Sequence, residues 1–449
     1  MCPLKRRTKT FMLTTSLCLA GVIIPHQKAH ASGFGLREGA ADWLGNSFVG
    51  GEAKAYDAGT VYTNPAGMAL LTQNQLSSNL SYIGPLARFQ GANTDVITGQ
   101  TDHGQTGNVI APAASTAMFA VFVLNPEFRL GFSLTNPYGE RTSYPKGWIG
   151  RYQGLVTNIT GIDASLALSY QVNHQLSLGG GPVIEYFHSR LTQAINSGAI
   201  YLAQTPPSDR AEVLPLAEDI PDGLGDVHGG DIALGYNLGL LYRLDSKTRF
   251  GLDYRSRIRH NLSVTQIIES PLPGQSSVLK ARTTITTPDT LSFGIYHQLT
   301  PALAVMSSVQ WTHWALFNQL HITPRGATPG TIGAQGGFIN EAWRNSWFAG
   351  IAANDQINGR LMVQTGFAFD ESPVTNSNRN SRAPDANHFD LGFGIKYLLL
   401  PGTTLDLAYL HVFSPGGTID STGGQTTGTQ TGRYQLSDNS VTAGMNIVF

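Results

Sequence analysis

Cysteine is nearly missing from this chain. It has two, Cys2 and Cys18, and both sit at the very start. Lys5, Arg6, Arg7 and Lys9 form a basic region there. The apolar run from Phe11 to Ile24 follows, too short for a spanning helix, which needs about 20 residues. Ala29-His30-Ala31 then makes a small-x-small cleavage site. These features predict a secretory signal peptide over residues 1–31, cut before Ser32. Cys18 lies inside the apolar run after the bulky Leu17, which argues against a lipoprotein anchor. An exported chain that loses both cysteines has neither a disulfide framework nor thiol chemistry.

Charge is also scarce. Asp, Glu, Lys and Arg make up 13% of the residues, about half the usual share of roughly 25%. The net charge of −1 gives no electrostatic case for nucleic acid. Beyond the leader there is no apolar stretch of spanning length and no repeat of fixed period, which weakens a solenoid or propeller reading. Enzyme signatures are missing too: no G-x-S-x-G, no Walker loop, no H-E-x-x-H. Gly179-Gly180-Gly181 runs into Pro182 within a strand-like segment, so it is not a phosphate cradle. The histidines are scattered without metal-ligand spacing, and no cofactor is expected. A barrel lipase stays conceivable, although no Ser/His pair stands out. An exported, Gly-rich, charge-poor chain without a spanning helix is a candidate transmembrane β-barrel.

What is present is alternation. Phe389, Leu391, Phe393, Ile395, Tyr397 and Leu399 share one face, opposite Asp390, Gly392, Gly394 and Lys396. Ile232, Leu234, Tyr236, Leu238, Leu240 and Tyr242 repeat the pattern, as do Ile162, Ala164, Leu166, Leu168 and Tyr170. Each run has the length of a tilted spanning strand, and the other face is small or polar, as suits a partly filled lumen. Short breaks fall at Asn125-Pro126, near Asn173, at Asp245-Ser246, at Thr300-Pro301, near Asn358 and at Pro401-Gly402. Long polar breaks fall near 90–111, 142–158, 196–226, 269–278, 323–340, 372–386 and 415–432. They alternate strictly and bound about fourteen antiparallel strands, with short turns periplasmic and long loops outside. The last strand places Val441, Ala443, Met445, Ile447 and Phe449 on one face. Phe449 as the final residue is expected to serve as the signal read by a barrel-assembly machine; an ordinary edge strand is the alternative.

One stretch does not alternate. Ser32 to Leu71 is rich in Gly and Ala and poor in β-branched residues, so it is not strand. Asn64 is suited to cap a short helix and Pro65 to occupy its first position. A compact segment ahead of a long β chain reads as a plug inside the barrel, or as an arm packed outside it.

With these residues in place, the chain resembles the long-chain fatty acid transporter family of Gram-negative outer membranes (the FadL, or OmpP1/TodX, type). Asn64-Pro65-Ala66 matches the family's hatch motif and Gly33-Phe34 its mature start. Tyr254-Arg255-Ser256-Arg257, Pro288 to Gly294, Trp311-Thr312-His313-Trp314 and Phe369 to Val374 match in family order. The resemblance implies an all-β fold: a fourteen-stranded barrel over residues 74–449, plugged by a hatch of short helices over 32–73. It implies passive uptake of hydrophobic molecules, fatty acids or related hydrocarbons, that leave sideways into the membrane. A general diffusion porin and a surface adhesin or phage receptor are the alternatives. The expected partners are the hydrophobic ligand, outer-membrane lipid and lipopolysaccharide, and the assembly machinery, with the protein a monomer and no enzyme.

Two candidate sites follow. Arg255, Arg257 and Arg259, spaced by two in a strand, are expected on one inward face. There they would hold a ligand carboxylate; the alternatives are a charge ladder that pairs with plug acids such as Glu38, Asp42, Glu52 or Asp57, or a stretch lying above the bilayer. His188 and Arg190 are weaker candidates of the same kind. Asn136-Pro137-Tyr138-Gly139 interrupts the third strand, because Pro lacks a donor and Gly permits a bend. The resemblance implies a kink there that opens a hole in the wall; a plain strand end is the alternative.

Overall fold

The computed structural model describes residues 33–328, 331, 333–422 and 427–449. The expected signal peptide and Ser32 lie outside the described residues.

The chain closes into one antiparallel barrel of fourteen strands. β1 (Gln75–Ile83 and Leu86–Thr94), β2 (Thr101–Gln105 and Ala113–Val123), β3 (Phe128–Ser143), β4 (Val156–Gln171) and β5 (Leu176–Ile195) open the sequence. β6 (Gly223–Arg243), β7 (Thr248–Arg255 and Ile258–Glu269), β8 (Ser277–Thr287 and Thr290–Gln298) and β9 (Leu303–Thr312 and Gln319–Arg325) follow. β10 (Gly337–Asn340 and Ser346–Gln356), β11 (Leu361–Asp370), β12 (His388–Leu400), β13 (Thr403–Phe413, extended by Gly417–Thr422) and β14 (Thr429–Val448) complete it. β14 pairs back onto β1, Gln75 opposite Val448, so the sheet has no free edge at that seam.

The alternating apolar residues face out. Ile232 and Leu234 are 66% and 73% exposed, and Phe389, Phe393, Ile395 and Tyr397 also lie on the outer surface, as a lipid-facing band requires. All six short turns fall where the sequence places them. Several long breaks hold more structure than their polarity suggests. The 196–226 stretch carries α4 (Ser197–Gln204) and α5 (Arg210–Asp219), and the 415–432 stretch continues β13 along β14.

The segment from Gly33 to Leu71 lies inside the barrel. Its elements are single turns: α1 (Ala41–Leu44), α2 (Gly51–Lys54), α3 (Thr60–Thr63) and a 3₁₀ helix (Pro65–Leu70). α1 touches β12, β13 and β14, α2 touches β7, β8 and β9, and the 3₁₀ helix touches β3, β4, β5 and β6. Contacts on every side place it in the lumen. The small residues of the inner face explain the fit. A Cβ on Gly251, Gly366 or Gly392 would collide with the backbone of Glu52, Asn46 or Leu44. Asn64 caps the 3₁₀ helix, its Oδ1 accepting from Ala66 N at 3.0 Å, and its Nδ2 donates to the carbonyls of Glu52 (2.7 Å) and Leu240 (3.0 Å).

A charged knot fixes the other end. Lys396 of β12 meets Asp42 at 2.8 Å, Asp57 at 3.0 Å and Asp406 at 3.4 Å, while Lys54 meets Asp42 at 2.6 Å. Burial resists ionisation of Asp42, but the two ammonium groups outweigh it and hold the carboxyl well below its usual range. Two of the plug acids thus pair with lysine. Glu52 instead accepts from Ser308 Oγ at 2.6 Å.

Candidate functional site

β2 and β3 pair only from Met118–Leu134 to Val123–Arg129. Above this, β3 bulges. Thr135 faces Asp163 of β4 and Tyr138 faces Gly161, so Asn136 and Pro137 together oppose Ile162. Contact with β2 resumes only at the bridge between Ile110 and Thr142. Between these levels the wall between β2 and β3 is unpaired.

The gap is covered from inside by the first described residues of the chain. Gly35 and Tyr138 form an antiparallel bridge. Leu36 N donates to Pro137 O at 2.7 Å and Gly139 N to Phe34 O at 2.9 Å. The edge of β3 that β2 leaves is therefore satisfied by the backbone of Phe34–Leu36. Leu36 packs on Ile83 and Ala113 of the neighbouring strands. Ser115 Oγ reaches Asn136 Oδ1 at 3.4 Å across the opening. Phe34 is held in an aromatic nest, its ring centroid 4.8 Å from Trp314, 5.2 Å from Phe317 and 5.6 Å from both Tyr138 and Trp343.

Directly inside the gap lies a cavity of about 150 Å³, lined by Leu36, Arg37, Pro137, Tyr138, Arg255 and Trp314 among others. Trp43, Phe48 and Val49 give it an apolar side. Arg255 contacts Asp163 at 3.2 Å and lies 4.0 Å above the Tyr62 ring. Its Nη1 and the Nε1 of Trp314 are buried donors with no hydrogen-bond partner among the described residues. Arg37 is tied to Asp370 at 3.2 Å and to Gln310.

The three arginines do not share a face. Arg255 points inward, 13% exposed, whereas Arg257 is 49% exposed and Arg259 lies on the outer surface. The reason is a bulge at Ser256-Arg257, which advances β7 by one residue against β6 and reverses its alternation. β8 reverses with it at Pro288-Asp289, opposite the same point, so the β7–β8 register is unbroken. Arg255 also pairs with a barrel acid and not with a plug acid. His188 and Arg190 are corrected likewise. Phe187 and Ser189 take the buried inner face of β5, and Arg190 pairs with Asp226 at 2.7 Å on the outside. Phe34, Leu36, Arg37 and Trp314 complete the site. Phe34 and Trp314 enter the sequence reading only as parts of family motifs and Leu36 and Arg37 not at all, because the fold and the backbone pairing of Phe34–Leu36 bring them together at β3. At the far end Phe449 N donates to Asn74 O at 3.0 Å and its side chain is exposed.

Residues 22–449 match the family of outer membrane protein transport proteins, OMPP1/FadL/TodX. The chain belongs to this family. Within OMPP1/FadL/TodX it is 26% identical over 427 residues to the long-chain fatty acid transport protein of Shigella flexneri, covering 90% of this chain and 93% of that one. It is 25% identical over 433 residues to outer membrane protein P1 of Haemophilus influenzae, covering 91% and 90%. Its fold superposes on that of a Pseudomonas aeruginosa FadL homologue with a TM-score of 0.83 at 20% identity, covering 93% of this chain and 100% of that one. The toluene transporter TodX of Pseudomonas putida gives 0.65 at 15% identity, covering 93% and 100%. As a FadL-family barrel the chain is an outer-membrane transport protein.

Proposed function

We propose that this barrel takes up hydrophobic small molecules passively and releases them sideways through the opening between β2 and β3. The observation that carries the reading is the cover. The hatch's own first residues occupy the wall gap and border the cavity behind it. A cargo emerging into water would lose about 0.8 kcal/mol for each CH₂ kept out of hydrocarbon. An exit onto the bilayer removes that cost. Movement of Phe34–Leu36 would join cavity and membrane in one step, with residues 33–73 acting as hatch and 74–449 as wall.

Relatives named as fatty acid transport proteins support an acid cargo, and the unpartnered donor of Arg255, in a cavity with an apolar side of Trp43, Phe48 and Val49, suits a carboxylate. A monomer seated among outer-leaflet lipopolysaccharide, with Phe449 read during assembly, completes this reading. The test is flux. Proteoliposomes carrying the protein should accumulate labelled palmitate and exclude small sugars. Sugar conductance without palmitate transfer would make it a diffusion porin; transfer of neither would favour an adhesin.

A further inference from the structure

A second break in the wall faces outward. β8 and β9 pair up to Thr290–Thr312 and then separate, meeting again only where Arg282 faces Thr323. Between these points lies a cleft of about 560 Å³. Arg257, Arg259 and Arg282 stand at its mouth, and Ile285, Leu316 and Leu320 make its apolar floor. Its height is set by register. Tyr254, Leu291, Trp311 and Trp347 are successive cross-strand partners on β7 to β10 and form one row on the outer wall. Such a row marks the membrane interface. The arginines lie just beyond it, on the side of the long loops.

These cations are under-compensated. Asp289 takes Arg257 at 3.2 Å and also His313 at 3.0 Å. Among the described residues, Arg259 and Arg282 have no ion-pair partner. Farther up, Lys280 directly opposes Arg325, an arrangement that destabilises a sheet unless an anion covers it.

We infer that this cleft binds the phosphorylated head of an outer-leaflet glycolipid, its phosphates on Arg259 and Arg282, the apolar faces of its sugar rings over the Leu316–Leu320 floor and its acyl chains descending past the aromatic row. Planar guanidinium groups suit phosphate, and a basic pocket at headgroup level is a lipid-headgroup site. The apolar floor selects a lipid over a free ion. The inference rests on the outer-membrane setting with long loops outside, not on the uptake reading.

The test uses native mass spectrometry of the purified full-length mature barrel in detergent, titrated with bis-phosphorylated lipid A, its dephosphorylated form, inorganic phosphate and palmitate. Wild type should bind the phosphorylated lipid about tenfold or more tightly than the dephosphorylated one. Arg259→Gln with Arg282→Gln should erase that difference and leave palmitate uptake and heat-modifiable mobility unchanged. Equal binding of the two lipids by wild type overturns the site, even if the double variant fails to assemble. So does an assembled double variant that binds normally. Displacement of the lipid by inorganic phosphate alone would make it a free-anion site, and displacement by palmitate a cargo site; either result overturns the proposal.

Discussion

Leu36 donates its backbone N–H to the carbonyl of Pro137 at 2.7 Å. One residue belongs to the hatch and the other to the bulge of β3. The same bulge that denies β3 its pairing with β2 presents a carbonyl to the segment covering the gap. Proline contributes twice: it has no N–H to give to β2, and its neighbours leave the sheet where the hatch can reach them.

The capping of the 3₁₀ helix yields a first expectation. Asn64→Ala removes a cap worth about 0.5–2 kcal/mol and also the two hydrogen bonds its amide donates, one to Glu52 within the hatch and one that ties the hatch to Leu240 of the wall. The barrel should still form, with normal heat-modifiable mobility on a gel, while leak conductance rises. Gly239→Ala should do the same from the wall side, because its Cβ would collide with Asn64 Oδ1. Wild-type conductance in both variants would refute the anchoring role.

Glu38 supplies a pH dependence. Burial, and then the nearby Asp438, push its carboxyl up to about 8. A group raised on folding stabilises the folded form fully below its ordinary range and loses that contribution as pH rises through its folded value. Hatch retention should therefore weaken as pH rises from the ordinary carboxyl value of 4.5 toward about 8, with leak conductance increasing across that range and levelling above it. Asp390 and Asp438 add repulsion once Glu38 ionises. Glu38→Gln should flatten the profile, and a rise of the same size in that variant would exclude Glu38 as its source.

Arg255 separates headgroup recognition from wall structure. A charge-assisted hydrogen bond is worth about 1.5–3 kcal/mol. Arg255→Ala should weaken palmitate binding about tenfold or more and leave binding of the methyl ester nearly unchanged. Arg257→Ala, on the outer side of the bulge, should affect neither. Equal loss for acid and ester would assign Arg255 to the polar network with Asp163 instead.

How far the sequence could be read depended on periodicity. Runs such as Ile232 to Tyr242 fix strand, face and span together, because a period of two leaves one register when one side meets lipid. The six short turns carried their own Asn, Asp, Pro and Gly signals. The arginines failed because a bulge changes parity without changing composition. Its one visible sign was Pro288 on the adjacent strand, where a ladder donor is missing. The cover over the β3 gap was hidden for another reason. Gly35 and Leu36 are joined to Pro137 and Tyr138 through main-chain groups, which leave no side-chain pattern. The loop helices α4 and α5 carry a weak apolar stripe, and α5 holds Pro215 within it.

The most direct test of lateral release locks the cover in place. Gly35 and Tyr138 are bridge partners flanked by the Leu36–Pro137 and Phe34–Gly139 hydrogen bonds. They therefore form a non-hydrogen-bonded antiparallel pair, whose Cα atoms lie about 4.5 Å apart, within reach of a disulfide. The described chain has no cysteine to compete. Palmitate uptake should be measured in Gly35→Cys with Tyr138→Cys, oxidised and then reduced. The account predicts uptake lost on oxidation and restored by reductant, with barrel mobility unchanged throughout. Equal uptake by the oxidised and reduced forms would show that cargo leaves by another route.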